Sequence, residues 1–263
     1  MKPAPFELAR PANLAEAAAA LARQPGAARL LAGGQSLGPM LNLRLVRPAV
    51  LVAVAHLPEL GSVAEDAEAV TIGAAVTHSA IADGRTPDVG TGILARIAEA
   101  IAYRAVRNLG TIGGSLCHAD PAADWLTTLT ALGASVIAWS ETGSRAIPLG
   151  QFVVGAFRTA LAPGEIVQAV RVPRPSAQAR WGYYKACRKP GEFAHAMAAA
   201  LDDPTRSVRR AVIGAVGGPP VVLEGENVTP AAAEAALRDA GLDAVARRMQ
   251  AVALKRALAG AAA

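Results

Sequence analysis

Two short stretches of this chain carry residues arranged for chemistry. In "LLAGGQSLGPM", Gly33 and Gly34 stand between Ala32 and the polar pair Gln35 and Ser36, with Leu37 following; in "RNLGTIGGSLCHADPAADW", Gly113 and Gly114 stand between the pair Thr111 and Ile112 and the hydroxyl of Ser115. A diphosphate brings two negative charges and many acceptor oxygens, and proteins meet it with inward-turned backbone amides. Glycine permits the positive φ angles and the close approach that such a cradle needs. Serine and threonine hydroxyls add donors. Either stretch alone reads equally well as a tight turn. Two in one chain point to a single ligand held between them.

Spacing excludes two commoner phosphate sites. Gly33 and Gly38 are separated as the glycines of a P-loop are, but Pro39 and Met40 occupy the places of the lysine and hydroxyl residue that hold a γ-phosphate and Mg²⁺. The run G-T-I-G-G-S breaks the G-x-G-x-x-G dinucleotide pattern, and no acidic residue closes a Rossmann unit at the expected distance.

Other reactive side chains have ordinary readings. His118, Asp120 and Asp124 in "HADPAAD" could be metal ligands, but metal centres need three or four ligands of matched geometry, and no metal site is expected. His118 reads better as a local hydrogen-bonding residue. Cys117 has no second cysteine or basic cluster beside it and is expected to be a packed small side chain. Arg107, just before the second stretch, reads as an anion neutraliser or a solvated surface residue. Phe193 reads as a core aromatic, with contact to a ring system as the alternative. Lys185, a lone lysine on a strand, faces solvent on residue type alone. No residue is expected to be catalytic.

Composition narrows the setting. The chain has 263 residues, 52% of them apolar, enough to bury a sizeable core in two or three small domains. Its longest apolar runs, such as "ALGASVIAWS", fall short of the ~18 to 20 residues of a membrane span. The opening "MKPAPFELARPANLAEA" has prolines and acids where an export signal needs an unbroken apolar run, so a cytoplasmic protein is expected. The net charge of +5 suggests nucleic acid, but the arginines are scattered and aromatics make up only 4%, so no nucleic-acid partner is expected. Cys117 and Cys187 are the only cysteines, too few to hold an iron–sulfur cluster alone.

The elements that must position these residues follow from pattern. "ANLAEAAAALAR" reads as a helix stopped by "QPG", "AARLLAGG" as a buried strand, and "PAVLVAVAHLPEL" as a second, closing a unit near residue 56. "EAVTIGAAVTHSAIAD" reads as a strand and a short helix that Thr77 caps, and "GTGILARIAEAIAYRAV" as a helix leading into the second glycine loop. "WLTTLTALGASVIAWSETGSRAIPL" gives a helix, a strand, a turn at Glu141 to Ser144 and another strand. "EIVQAVRVPRP" is a strand ended by prolines, and Pro173 to Ser176 reads as a domain boundary. The tail holds strands in "ARWGYYKACRKPGEFAHAMAAALDD" and "SVRRAVIGAVGGPPVVL", then two helices.

"AGGQSLGPMLNLRL" and "RNLGTIGGSLCHADPAAD", in this order and separation, resemble the signatures of the FAD-binding medium subunit of molybdenum hydroxylases, the family of the carbon monoxide dehydrogenase medium chain and the xanthine dehydrogenase FAD domain. "YYKACRKPGEFAHA" is similar to the segment that opens the family's C-terminal domain, so the likeness spans nearly the whole chain. Two departures are local: Glu192 replaces the commoner Asp, and Gln35 stands where some relatives carry His.

The resemblance implies an α+β protein with the FAD-binding fold of vanillyl-alcohol oxidase and the MurB reductase. Residues 1–172 would be the FAD-binding domain, with α/β subdomains of about 1–56 and 57–172, and residues 177–263 a C-terminal domain of a sheet plus helices. It implies that Ala32, Gly33, Gly34, Gln35, Ser36 and Leu37, then Thr111, Ile112, Gly113, Gly114 and Ser115, wrap the FAD diphosphate. Asp124 matches a carboxylate directed at the ribose or phosphate region. Lys185 matches a lysine near the flavin pyrimidine edge, where its charge would favour anionic reduced flavin without acid–base catalysis.

The implied role is electron exit in a heterotrimer. A large molybdopterin subunit would hydroxylate the substrate, a small subunit with two [2Fe-2S] clusters would relay electrons, and this chain's FAD would pass them to NAD, oxygen or a quinone. Rival readings are a stand-alone FAD-dependent oxidoreductase, a scaffold with an empty FAD site and, last, a nucleic-acid binder.

Overall fold

The computed structural model describes residues 2–90 and 92–262, and its elements form three main sheets with a small ribbon. The N-terminal sheet has three parallel strands, with Val50–Ala53 between Glu7–Ala9 and Ala28–Leu31. Helix Leu14–Arg23 covers it. Asn13 caps this helix by accepting the Glu16 N–H at 2.9 Å, and the Glu16 carboxylate accepts the Ala12 N–H at 2.8 Å. The apolar run from residue 48 to 60 is therefore only partly a strand; beyond Ala53 it turns into the short helix Pro58–Gly61, which has proline at its first position.

The second sheet is antiparallel, in the order Val63–Glu65, Ala69–Gly73, Ile166–Pro173, Ser135–Ser140, Gly143–Pro148. Ile166–Pro173 is central, and its buried Val170 and Val172 explain the apolar reading of that segment. The expected single helix before the second glycine stretch is two pieces, Ile93–Glu99 and Arg104–Arg107. The break lies at Ala102, whose φ of +44° is left-handed and incompatible with a continuing helix.

The third sheet is antiparallel, in the order Arg180–Ala186, Ala196–Asp203, Val208–Gly214, Val221–Glu224. Strand Ala196–Asp203 is buried on both faces. Ala196, Ala198 and Ala200 share a core with Leu254 and Ala257 of the terminal helix Ala244–Ala262, whereas Ala199 packs with Ala131 of helix Asp124–Leu132. The alanines are the reason two helices can approach one strand. Helix Asp124–Leu132 is buried along its whole length between the second and third sheets. Among the described residues, no helix is long and apolar enough to cross a membrane.

Candidate functional site

The first glycine stretch leaves strand Ala28–Leu31 and turns at Gly34, whose φ is +69°. The Gly38 N–H then donates to the Gly34 carbonyl at 2.7 Å and starts helix Leu37–Asn42. The backbone N–H groups of Gly33, Gly34, Gln35, Ser36 and Leu37 donate to no acceptor among the described residues. Such a row of half-buried free donors is a site for an acceptor-rich ligand. The Gln35 side chain folds back, donating to the Gly33 carbonyl at 2.9 Å.

The second stretch is no loop. It is the first turn of helix Ile112–His118, capped by Thr111, whose hydroxyl accepts the Gly114 N–H at 3.0 Å. The Ile112 and Gly113 amides donate to the carbonyls of Val76 and Ala74 at 3.0 and 2.9 Å, and that of Ser115 to Thr111 at 3.0 Å. These amides are spent inside the chain. What this stretch offers outward is hydroxyls: Ser115 Oγ makes no hydrogen bond among the described residues, and Ser36 Oγ in the first stretch makes none either.

The glycines do a second job, which is close packing. A Cβ on Gly33 would overlap the Leu109 carbonyl and sit 2.9 Å from Gly110 Cα, and one on Gly113 would overlap Ala74. One on Gly114 would sit 2.8 Å from Thr111 Oγ1 and 3.9 Å from Ala32. The two stretches therefore meet backbone to backbone, and any larger residue at Gly33 would separate them. Beneath them lies His78, which Gly110 touches closely; its backbone N–H donates to the Gly110 carbonyl at 2.9 Å, and its Nδ1 accepts the Trp125 Nε1–H at 3.1 Å. Burial and the Arg107 charge push the His78 pKa down to about 4, so its ring is neutral at pH 7.

Asp124 and Lys185 are in contact with each other. Lys185 Nζ lies 2.9 and 3.0 Å from the two Asp124 oxygens, and Tyr183 donates its hydroxyl to Asp124 Oδ1 at 2.6 Å. The side chains are 5% and 8% exposed, so Lys185 does not face solvent. Burial pushes the Asp124 carboxyl up, opposed by the Lys185 charge and the Tyr183 bond. Burial and the Asp124 charge push Tyr183 well above its ordinary value, so it remains a donor. Tyr183 carried a legible signal, since it lies two residues from Lys185 on one strand and so shares its face.

Lys185 also lines a cavity of about 540 Å³ together with Ala102, Arg104, Arg107, Cys187 and Gly191. Arg107 is not a solvated surface residue: half-buried in this wall, it donates from Nη1 to the carbonyls of Ile101 and Ala102, both at 2.9 Å. Cys117 has open surface rather than close packing, yet the surrounding protein still pushes its thiol up to about 12. Phe193 is 61% exposed, since the strand expected around it begins only at Ala196. His118 makes no side-chain hydrogen bond among the described residues and packs its ring 5.1 Å from that of Phe157. Asp120 accepts the Ala122 N–H at 2.9 Å, and no metal-holding group of His, Cys, Asp and Glu exists among the described residues. Glu192 pairs with Arg188 at 3.6 Å.

Comparison with known proteins decides the family. Residues 4–175 match the model of the FAD binding domain in molybdopterin dehydrogenase. The chain belongs to this family. It is 32% identical to the caffeine dehydrogenase subunit beta of Pseudomonas sp. (strain CBB1), over 84% of this chain and 76% of that one. It is 34% identical to the carbon monoxide dehydrogenase medium chain of Hydrogenophaga pseudoflava, over 76% and 70%. The solved carbon monoxide dehydrogenase from the same organism superposes with a TM-score of 0.87 at 30% identity, covering 99% of this chain and 98% of that one. The chain is thus an FAD-binding medium subunit of the molybdenum hydroxylase type, with that family's fold and cofactor. The donors present fit FAD: free amides and hydroxyls unpaired among the described residues meet where the glycine stretches touch, and no acidic side chain lies within Ala32 to Leu37 or Thr111 to Ser115.

Proposed function

We propose that this chain is the electron-exit subunit of a molybdenum hydroxylase. The observation that carries the reading is the backbone contact between the two glycine stretches, which brings a row of free amides against Leu109 and Gly110, just after the cavity-lining Arg107 in the chain. The amides of Gly33 to Leu37 and the hydroxyls of Ser36 and Ser115 would hold the diphosphate, with buried Thr111 capping the helix that presents Ser115. Ala32, Ile112, Gly113 and Gly114 would shape the cradle by packing. The flavin ring end would occupy the cavity, with Lys185 on its wall and Asp124 and Tyr183 fixing that ammonium. When bound, FAD supplies the step between one-electron and two-electron chemistry. The chain's residues orient it and set the Lys185 ammonium on the wall beside it.

Electrons would enter from a small subunit carrying two [2Fe-2S] clusters, fed by a large molybdopterin subunit, and leave to NAD, oxygen or a quinone. Supporting this division, the two cysteines cannot ligate a cluster by themselves. Residues 1–172 would form the cofactor domain and 177–263 the domain that covers it, in a cytoplasmic complex. The test is the visible spectrum of the purified chain with the chromophore released by heat. Flavin bands and intact FAD are expected, with no turnover of small organic substrates by the chain alone. Unchanged FAD content in Gly114→Asp would sink the cradle, because a carboxylate there clashes with Thr111 and repels phosphate. A chain that stays colourless with added FAD would leave a scaffold.

A further inference from the structure

The segment Ala100–Ala102 is held in an unusual way. Three successive carbonyls face cations: Lys185 Nζ donates to that of Ala100 at 3.3 Å, and Arg107 Nη1 to those of Ile101 and Ala102 at 2.9 Å each. The Ala102 N–H donates to the Gly191 carbonyl at 3.1 Å, and Ile101 pairs with Gly191 as an isolated parallel bridge. Ala102 itself is in the left-handed region at φ +44°, a strained conformation for a non-glycine residue that persists only where its surroundings impose it. The segment is a strained strap joining the cavity wall to the C-terminal sheet, and Arg107 is its clamp.

Among the described residues, Arg107 has no carboxylate partner. Arg104 is paired with Asp83 at 2.6 Å and Lys185 with Asp124, whereas the Arg107 Nε is buried without an acceptor. A half-buried guanidinium that leaves a buried Nε without an acceptor to hold two backbone carbonyls is costly, and such groups mark positions where geometry is needed. Only Asn108 and Leu109 separate Arg107 from Gly110, which touches Gly33. Any loosening of the strap therefore moves the cavity wall relative to the glycine stretches.

We infer that Arg107 is a positioning residue for the flavin ring: by clamping the strained Ala102 turn against Gly191, it fixes the ring-end wall of the site without contributing to the diphosphate cradle. This rests on the proposal that FAD occupies the cradle and cavity. It predicts that two affinities separate. The apoprotein would be titrated with FAD and, separately, with ADP, which occupies only the cradle end, and the visible circular dichroism of bound FAD would be recorded.

In Arg107→Met, the FAD dissociation constant is expected to rise tenfold or more, the ADP constant to stay within twofold, and the circular dichroism bands to change. Arg107→Lys, which keeps the charge and can reach one carbonyl, should recover part of the loss. Gly191→Ala attacks the same strap from its other side, because its Cβ would sit 2.5 Å from the Ala102 carbonyl oxygen at a φ of +85°, and it should reproduce the separation even if Arg107→Met fails to fold. Equal losses of FAD and ADP, or no loss of FAD, would overturn the inference. A wild-type chain that binds ADP but not FAD, or neither, would instead remove the flavin reading and the inference with it.

Discussion

Gly33 and Gly38 lie in one short stretch, yet the same substitution should move them in opposite directions. At Gly33 an added Cβ runs into the Leu109 carbonyl, so Gly33→Ala must push the glycine stretches apart. We expect a loss of about 1–3 kcal/mol, as for other overpacked sites, and weakened FAD binding. At Gly38 nothing lies within 4 Å, the residue is helical, and Gly38→Ala should raise apoprotein stability by about 0.5–1 kcal/mol. Thermal melts of the two apoprotein variants check both; a Gly33→Ala protein as stable as wild type would mean that the backbone contact is not needed. The sequence made these glycines legible as turn residues, but among Gly33, Gly34, Gly113 and Gly114 only Gly34 uses a positive φ. Gly33, Gly113 and Gly114 are there for what they touch, and Leu109 and Ala74 were not visible as partners in a linear reading.

At the scale of elements, the segment of residues 74–78 is the bed on which the second glycine stretch lies. It accepts the Ile112 and Gly113 amides and places neutral His78 under Gly110. The helix capped by Thr77 was readable from its spacing, since Thr77 Oγ1 does accept the Ala80 N–H at 3.2 Å. The helix starting at Thr111 was not, because paired glycines are poor helix formers and only the tertiary bed supplies the missing stability. The bed carries a pH signature. Above pH 6.5 the His78 imidazole is neutral in both folded and unfolded chains. Between pH 6.5 and about 4 only the unfolded chain takes up the proton, so stability falls as pH falls, by about 3 kcal/mol at most, and levels off below. His78→Gln retains an acceptor for Trp125 and should flatten this part of the profile. Denaturant unfolding of both proteins at pH 7.5 and pH 5 measures the difference, and parallel profiles would refute the assignment.

For the molecule as a whole, the decisive contact joins residues 61 positions apart, Asp124 at the head of the central helix and Lys185 on the first strand of the third sheet. Most of the strands of the three sheets were legible from their apolar patterns, but this pairing was not, since nothing in either local sequence names its partner. A second tie lies where the linker enters that sheet: Asp203 accepts the Ser176 N–H and hydroxyl at 2.8 and 2.7 Å. With ties this buried, the units should unfold together. Saturating the chain with FAD at 100 times its dissociation constant adds about 2.7 kcal/mol, which at ~2–4 °C per kcal/mol raises one melting transition by about 5–10 °C. Lys185→Met strands a buried carboxylate with only Tyr183 and should cost about 3–5 kcal/mol. Adding Asp124→Asn removes the stranded charge and should return part of that loss. Calorimetry of wild type, the single variant and the double variant, each with and without FAD, tests the coupling. If FAD shifts only a fraction of the unfolding heat in the wild type, the third sheet is thermodynamically separate from the cofactor domain, and the Asp124–Lys185 contact does not transmit stability between them.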